Sequence, residues 1–301
     1  MLRSPNHRLL ALSAGMLLAC SITTGSEPPS PGGAPAAGAA ATVGTPQGDP
    51  QPPPPGRAQP LERGQLIAHA LGGLEGDTYT NTREAFEQNY ALGHRWFEVD
   101  LRLTQDGVLV CFHDKHEASI GIEGTLDDVS FEEFLGLEWK DRYSLLSFEA
   151  LLELLQQHPD ALLVTDTKLW DEATIDALVG AVSAVDSTLF TRIIPQIYEF
   201  GDLDRIEGIE RRFGPFYSVI FTLYVTRSSN AEVLHFLERR PVPMVTVPQY
   251  PGRMERDFLD GLRNTGAYLF THTLNEPETM RDYLQLGIDG FYTDHICPDC
   301  W

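Results

Sequence analysis

The run Trp96-Phe97-Glu98-Val99-Asp100-Leu101, then the turn Gln105-Asp106-Gly107, then Val108-Leu109-Val110-Cys111-Phe112-His113, decides how this 301-residue chain is read. Two-residue alternation puts Glu98 and Asp100 on one face of a strand, with Phe97, Val99 and Leu101 on the other. The second run begins too soon for a parallel crossover, which takes about a dozen residues or more, so it returns as a hairpin. His113 then arrives opposite Glu98 or Asp100, according to a register that the sequence leaves open. Two carboxylates about 4 Å apart repel by roughly 4 kcal/mol at an effective dielectric near 20. Either one carries a proton or a cation sits between them.

Outward from this stretch, short apolar runs alternate with helical patterns. Strands are expected at 66–70, 95–101, 161–167, 192–198, 217–224, 243–248, 267–274 and 289–293. Between them, Ser147 is expected to cap a leucine-rich helix, and Asn275 to cap a helix over 276–286 that Gly287 stops. Eight strands linked by helices predict an α/β fold of the TIM (β/α)8 type, with a hairpin excursion after the second strand. An open doubly wound sheet is the alternative, but no Gly-x-Gly-x-x-Gly follows any strand.

Asp166 ends the run Leu162-Leu163-Val164 and brings a third carboxylate to the rim of Glu98 and Asp100. Three hard oxygen donors without zinc-type cysteine or histidine spacing favour Mg2+ or Ca2+. His69 ends the first strand and His113 the hairpin, so two imidazoles converge on the acids. Phosphoryl chemistry needs such a base and acid, which contribute about 10^2 to 10^4 in rate. Lys168, two beyond Asp166, can offer charge to a phosphate oxygen. Asn81, in Thr80-Asn81-Thr82-Arg83-Glu84, can donate its amide to phosphate or cap the next helix. His94, His158, His235 and His295 read as structural. His272, Gln196 and Tyr224 sit at strand ends as filling or as contacts to an alcohol.

The chain holds 22 basic and 43 acidic residues, net −21, which argues against a phosphate-neutralising nucleic-acid surface and a polybasic membrane footprint. Any positive charge for an anionic substrate has to be local. Arg3 and Arg8 precede an apolar run over 9–19 that is too short to span a bilayer and suits a secretory signal over 1–20. It ends Leu17-Leu18-Ala19-Cys20, which resembles a bacterial lipobox, so export to the cell envelope with a lipid anchor on Cys20 is expected. Eleven of the 21 prolines fall within 21–60, the composition of a linker. Residues 1–60 carry three arginines and two acids, leaving net −22 for 61–301. Cys111 reads as a buried thiol, and Cys297-Pro298-Asp299-Cys300 as a site for a local disulfide in an exported chain.

Taken in order, several motifs resemble the glycerophosphodiester phosphodiesterase family, within the phosphatidylinositol phospholipase C-like barrels. They are Ile67-Ala68-His69, Asn81-Thr82-Arg83-Glu84-Ala85-Phe86, Phe97-Glu98-Val99-Asp100-Leu101, Thr104-Gln105-Asp106-Gly107, Val110-Cys111-Phe112-His113-Asp114, Asp166-Thr167-Lys168 and Asp289-Gly290-Phe291-Tyr292-Thr293-Asp294. The resemblance implies a divalent metal on Glu98, Asp100 and Asp166, with His69 and His113 as acid and base. It also implies attack by a neighbouring hydroxyl to give a cyclic phosphate, which water opens. The substrate expected is a small or lipid-derived phosphodiester; no nucleic acid or protein partner is expected. There are departures. The family's arginine and glycine after the first histidine are Ala70 and Leu71, its glutamate before the asparagine is Thr80, and its third metal glutamate is Asp166. Asp166 with Lys168 also resembles sphingomyelinase D and phospholipase D toxins, so headgroup cleavage of that kind, and a non-catalytic ligand-binding lipoprotein, stand as alternatives.

Overall fold

A computed structural model describes residues 61–301. The expected signal, lipobox and linker lie outside the described residues, and among those described no helix is long and apolar enough to cross a membrane. Strand β1 (Gln65–Ala68) leads through helix α1 (Arg83–Ala91) to β2 (Trp96–Leu103) and the hairpin strand β3 (Leu109–Cys111). An excursion then carries α2 (Phe131–Leu135) and a small ribbon of β4 (Glu138–Trp139) with β5 (Tyr143–Ser144). From α3 (Phe148–Gln157) the alternation is regular: β6 (Leu162–Asp166), α4 (Glu172–Val185), β7 (Ile193–Ile197), α5 (Asp202–Phe213), β8 (Ile220–Thr222). It ends with α6 (Asn230–Arg239), β9 (Met244–Thr246), α7 (Arg256–Asn264), β10 (Tyr268–Thr271), α8 (Pro277–Leu286) and β11 (Gly290–Thr293).

The parallel order β1-β11-β10-β9-β8-β7-β6-β2 closes through β1 against β2, giving the eight-stranded barrel expected from the alternation. Each of its strands sends one residue to a common interior layer: Ile67, Trp96, Val164, Ile194, Ile220, Met244, Phe270 and Tyr292. The opposite faces, such as Phe97, Val99 and Leu101 on β2, are buried in the larger core against the helices. Because inward side chains recur every second residue, the next interior position along each strand is set by the same register. Trp96 thus shares the acid-bearing face of β2, as the floor beneath Glu98.

Several ladders are shorter than the apolar runs. The run 217–224 pairs only over Ile220–Thr222, and 267–274 only over Tyr268–Thr271. Their last residues leave the sheet and form the rim, where side chains face a pocket instead of a neighbouring strand. Ser147 caps α3 as expected, accepting from the Ala150 amide at 3.0 Å. The expectation for α8 is corrected. Glu276 is its N-cap, because Asn275 turns its amide toward Asp294, while Gly287 ends the helix in a left-handed conformation. Cys297 and Cys300 are bridged, and Cys111 is buried.

Candidate active site

Two residues beyond the interior apolar layer, the barrel becomes polar. Ile67 gives way to His69, Trp96 to Glu98, Val164 to Asp166, Ile194 to Gln196, Phe270 to His272 and Tyr292 to Asp294. Five of the six lie at or next to the C-terminal ends of their strands, and Glu98 lies near the end of the part of β2 that pairs with β6, on the face where barrel enzymes place their chemistry. All but Asp294 line a cavity of about 120 Å³, which Asp100, His113, Lys168 and Tyr79 also face.

The carboxylates meet because of the register between β2 and β6, which sets Asp100 beside Asp166 and Glu98 beside Val164. Glu98, Asp100 and Asp166 are 2%, 3% and 5% exposed, and each offers an oxygen within 4.8 Å of the others. Glu98 Oε2 accepts from the Ala70 amide at 2.8 Å, and Asp100 Oδ2 from Asn81 Nδ2 at 3.0 Å, which leaves each a second oxygen for the pocket. Asp166 pairs with the Lys168 ammonium, which is also 3.6 Å from Asp100. Burial, then the charge of Asp100, pushes the Glu98 carboxyl up to about 8, although His69 opposes this. Three buried carboxylates with oxygens this close together fit a hard divalent cation.

His69 lies in the turn that follows β1. Its Nδ1–H donates to Asp294 Oδ1 at 2.9 Å. Burial alone lowers its pKa, but the Asp294 hydrogen bond and the charges of Glu98 and Asp100 raise it to about 9. His113 donates from Nδ1 to the Asp114 carbonyl at 2.5 Å, so its basic Nε2 is left 3.9 Å from Asp100. Burial lowers the His113 pKa, against the pull of Asp100. The hairpin register corrects the expected pairing. Leu101 opposes Cys111, the ladder ends there, and the Phe112 amide donates to the Asp100 carbonyl at 2.9 Å. His113 therefore stands opposite neither acid and reaches Asp100 by its side chain alone.

The cap reading of Asn81 is likewise corrected: Thr82 caps α1, and Glu84 accepts from Ser144. Asn81 is fully buried, in a left-handed conformation that asparagine tolerates, and clamps Asp100 twice. Besides the bond to Oδ2, its Oδ1 accepts from the Asp100 amide at 3.1 Å. Its Oδ1 and one of its two amide hydrogens are thus engaged at Asp100. Asn81→Ala is expected to lower kcat about 10- to 100-fold, the range for loss of a supporting shell around a metal ligand. It should also weaken divalent binding, as titration calorimetry would report.

Three residues given no role by the sequence reading stand out. Asp294 holds His69 and is itself braced by Asn275, whose Nδ2 donates to Asp294 Oδ2 at 2.8 Å. The tyrosine ring of Tyr79 packs 4.5 Å from His69 and 4.8 Å from His113, keeping the imidazoles on separate walls, and stacks on His116 at 5.0 Å. Asp294's place one step beyond β11 was the available signal; nothing in the sequence marked Tyr79 or His116. Of the histidines read as structural, His94 donates to the Ile296 carbonyl at 3.0 Å and does not line this pocket.

Comparisons with known proteins follow the same outline. Residues 73–297 match the glycerophosphoryl diester phosphodiesterase family. A Mycobacterium tuberculosis protein named "Probable glycerophosphodiester phosphodiesterase 2" is 26% identical over 239 residues, covering 71% of this chain and 81% of its own. A phosphodiesterase structure from Oleispira antarctica, in complex with the product sn-glycerol-3-phosphate, superposes with TM-score 0.62 at 18% identity, covering 77% of this chain and 93% of that one. The glycerophosphodiester phosphodiesterase structure from Thermotoga maritima gives 0.59 at 20% identity, covering 78% and 96%.

Proposed function

Since this chain belongs to the glycerophosphoryl diester phosphodiesterase family and is a phosphoric diester hydrolase, we propose that it hydrolyses a glycerophosphodiester at the pocket of His69, Glu98, Asp100, His113, Asp166 and Lys168. The observation that carries the reading is the convergence of three buried carboxylates with two imidazoles on opposite sides of Tyr79. Glu98, Asp100 and Asp166 would hold Mg2+ or Ca2+, which when bound offsets phosphate charge and makes phosphorus more electrophilic. His113, neutral with Nε2 free, takes the proton from the glycerol hydroxyl as its oxygen bonds to phosphorus. His69, held protonated by Asp294, gives a proton to the departing alcohol oxygen as its bond to phosphorus breaks. Environments that push two histidines apart in pKa suit such a division of roles. Water then opens the cyclic phosphate to glycerol phosphate with the proton roles reversed, while Lys168 sets its charge against a phosphate oxygen.

Phosphorus NMR of glycerophosphocholine with the enzyme and Mg2+ or Ca2+ tests this. The diester signal should give way to a transient cyclic phosphate and then a monoester, with free choline. No turnover of glycerophosphocholine, glycerophosphoethanolamine or glycerophosphoinositol with either ion would overturn it; a lasting cyclic phosphate from a lysolipid would favour the toxin-like reading. The proposal also places the chain in the bacterial cell envelope, lipid-anchored through Cys20, on the support of Leu17-Leu18-Ala19-Cys20 behind a short apolar run. Mass spectrometry of the mature N-terminus would read the diacylglyceryl adduct.

A further inference from the structure

On the side of the cavity away from the hairpin, the wall is built from β7, β8, β10 and β11, and most of its polar groups are already engaged. Gln196 Oε1 accepts from Thr222 Oγ1 at 2.7 Å and from the Tyr292 hydroxyl at 3.2 Å. The Tyr224 hydroxyl donates to the His272 carbonyl and accepts from the His272 amide at 3.1 Å. His272 is different. Its ring stacks on Tyr224 with centroids 3.7 Å apart and lies nearly parallel to His69 at 5.9 Å. Nδ1 has a single contact of 3.5 Å to Thr273 Oγ1, and Nε2 has no hydrogen-bond partner among the described residues. The ring is thus held at both backbone and face, yet its polar edge is unused.

We propose that His272 is a specificity-determining residue whose Nε2 receives the hydroxyl of the substrate's polyol portion that does not attack phosphorus. The inference rests on the reading of the pocket as a phosphodiesterase site and names the chemistry it selects. Burial, with the charges of His69 and Lys168, pushes the His272 pKa down to about 3, so the ring is neutral at working pH and can accept or donate. The Gln196 Oε1 and the Tyr224 hydroxyl already carry two hydrogen bonds each, so as acceptors both are engaged where His272 Nε2 is not.

The test compares the wild type with His272→Phe, which keeps a stacking ring, and His272→Gln, which keeps a hydrogen-bonding edge. With glycerophosphocholine, His272→Phe should lose about 10- to 100-fold in kcat/KM, the range for one unpaired hydrogen bond, chiefly through KM. With 2-hydroxyethyl phosphocholine, which keeps the attacking hydroxyl but lacks the second hydroxyl of glycerol, the loss should stay under about threefold, and His272→Gln should recover most of the activity on glycerophosphocholine. The limbs of the pH–rate profile should not move, since His69 and His113 carry the protons. Calorimetric binding of glycerol 3-phosphate against methyl phosphate, with Mg2+, supplies a readout that needs no turnover: the wild type should prefer the glycerol ester and His272→Phe should not. Equal losses on both diesters, or an unchanged preference in His272→Phe, would overturn the assignment. Absence of any diester hydrolysis by the wild type would instead remove the proposed function, while the binding preference still decided the role of His272.

Discussion

His69→Ala is expected to lower kcat for glycerophosphodiester hydrolysis by about 10^2- to 10^4-fold, the usual contribution of one positioned acid, while circular dichroism stays native. The fold should survive because His69 lies beyond the last pairing of β1, at Ala68, and its partner Asp294 keeps the Asn275 hydrogen bond. Asp294→Asn gives the finer reading. Removing that carboxylate takes away the interaction that most raises the imidazole pKa, so the proton is held less tightly and the alkaline limb of the pH–rate profile should move to lower pH. A His69→Ala enzyme that kept more than a tenth of wild-type kcat would contradict the role given to the residue.

The second large effect is on stability, and its sign follows from the same groups. In the metal-free protein His69 holds its proton to about 9, above its ordinary 6.5, so its contribution is full below pH 6.5 and is lost as pH rises through 9. Burial and Asp100 raise Glu98 to about 8 from 4.5, and a raised carboxyl acts in the same direction, with stability falling between those values as the unfolded chain ionises first. The metal-free protein should therefore lose on the order of a few kcal/mol between pH 5 and 9. A divalent cation takes over from those protons, so saturating Mg2+ or Ca2+ should raise Tm much more at pH 8 than at pH 5.5. Equal shifts at the two pH values, in thermal melts followed by circular dichroism, would speak against the ion's seat among these acids.

The barrel was legible because inward and outward residues alternate in runs long enough to count, and because the Gln105–Gly107 turn forces a hairpin. The acids were legible for the same reason: Glu98 and Asp100 share a face by spacing alone. Their meeting with Asp166 needed the β2–β6 register, which nothing within either strand specifies. The hairpin register was equally hidden, and the structure moved His113 off the ladder altogether. Asp294 lies 225 residues from His69, so their pairing depends on barrel closure, not on any local pattern. Asn81 misled because the same side chain that caps helices also clamps carboxylates; Thr82 took the cap and left Asn81 for Asp100.

Charge compensation by a bound cation is best examined by titrating Mg2+ and Ca2+ into the metal-free protein at pH 7.5 by calorimetry, beside Asp100→Asn and Asp166→Asn. One saturable site is expected in the wild type, weakened at least about tenfold by either substitution, as loss of a charged ligand entails. No divalent binding by folded wild-type protein, or affinities unchanged in both variants, would contradict it.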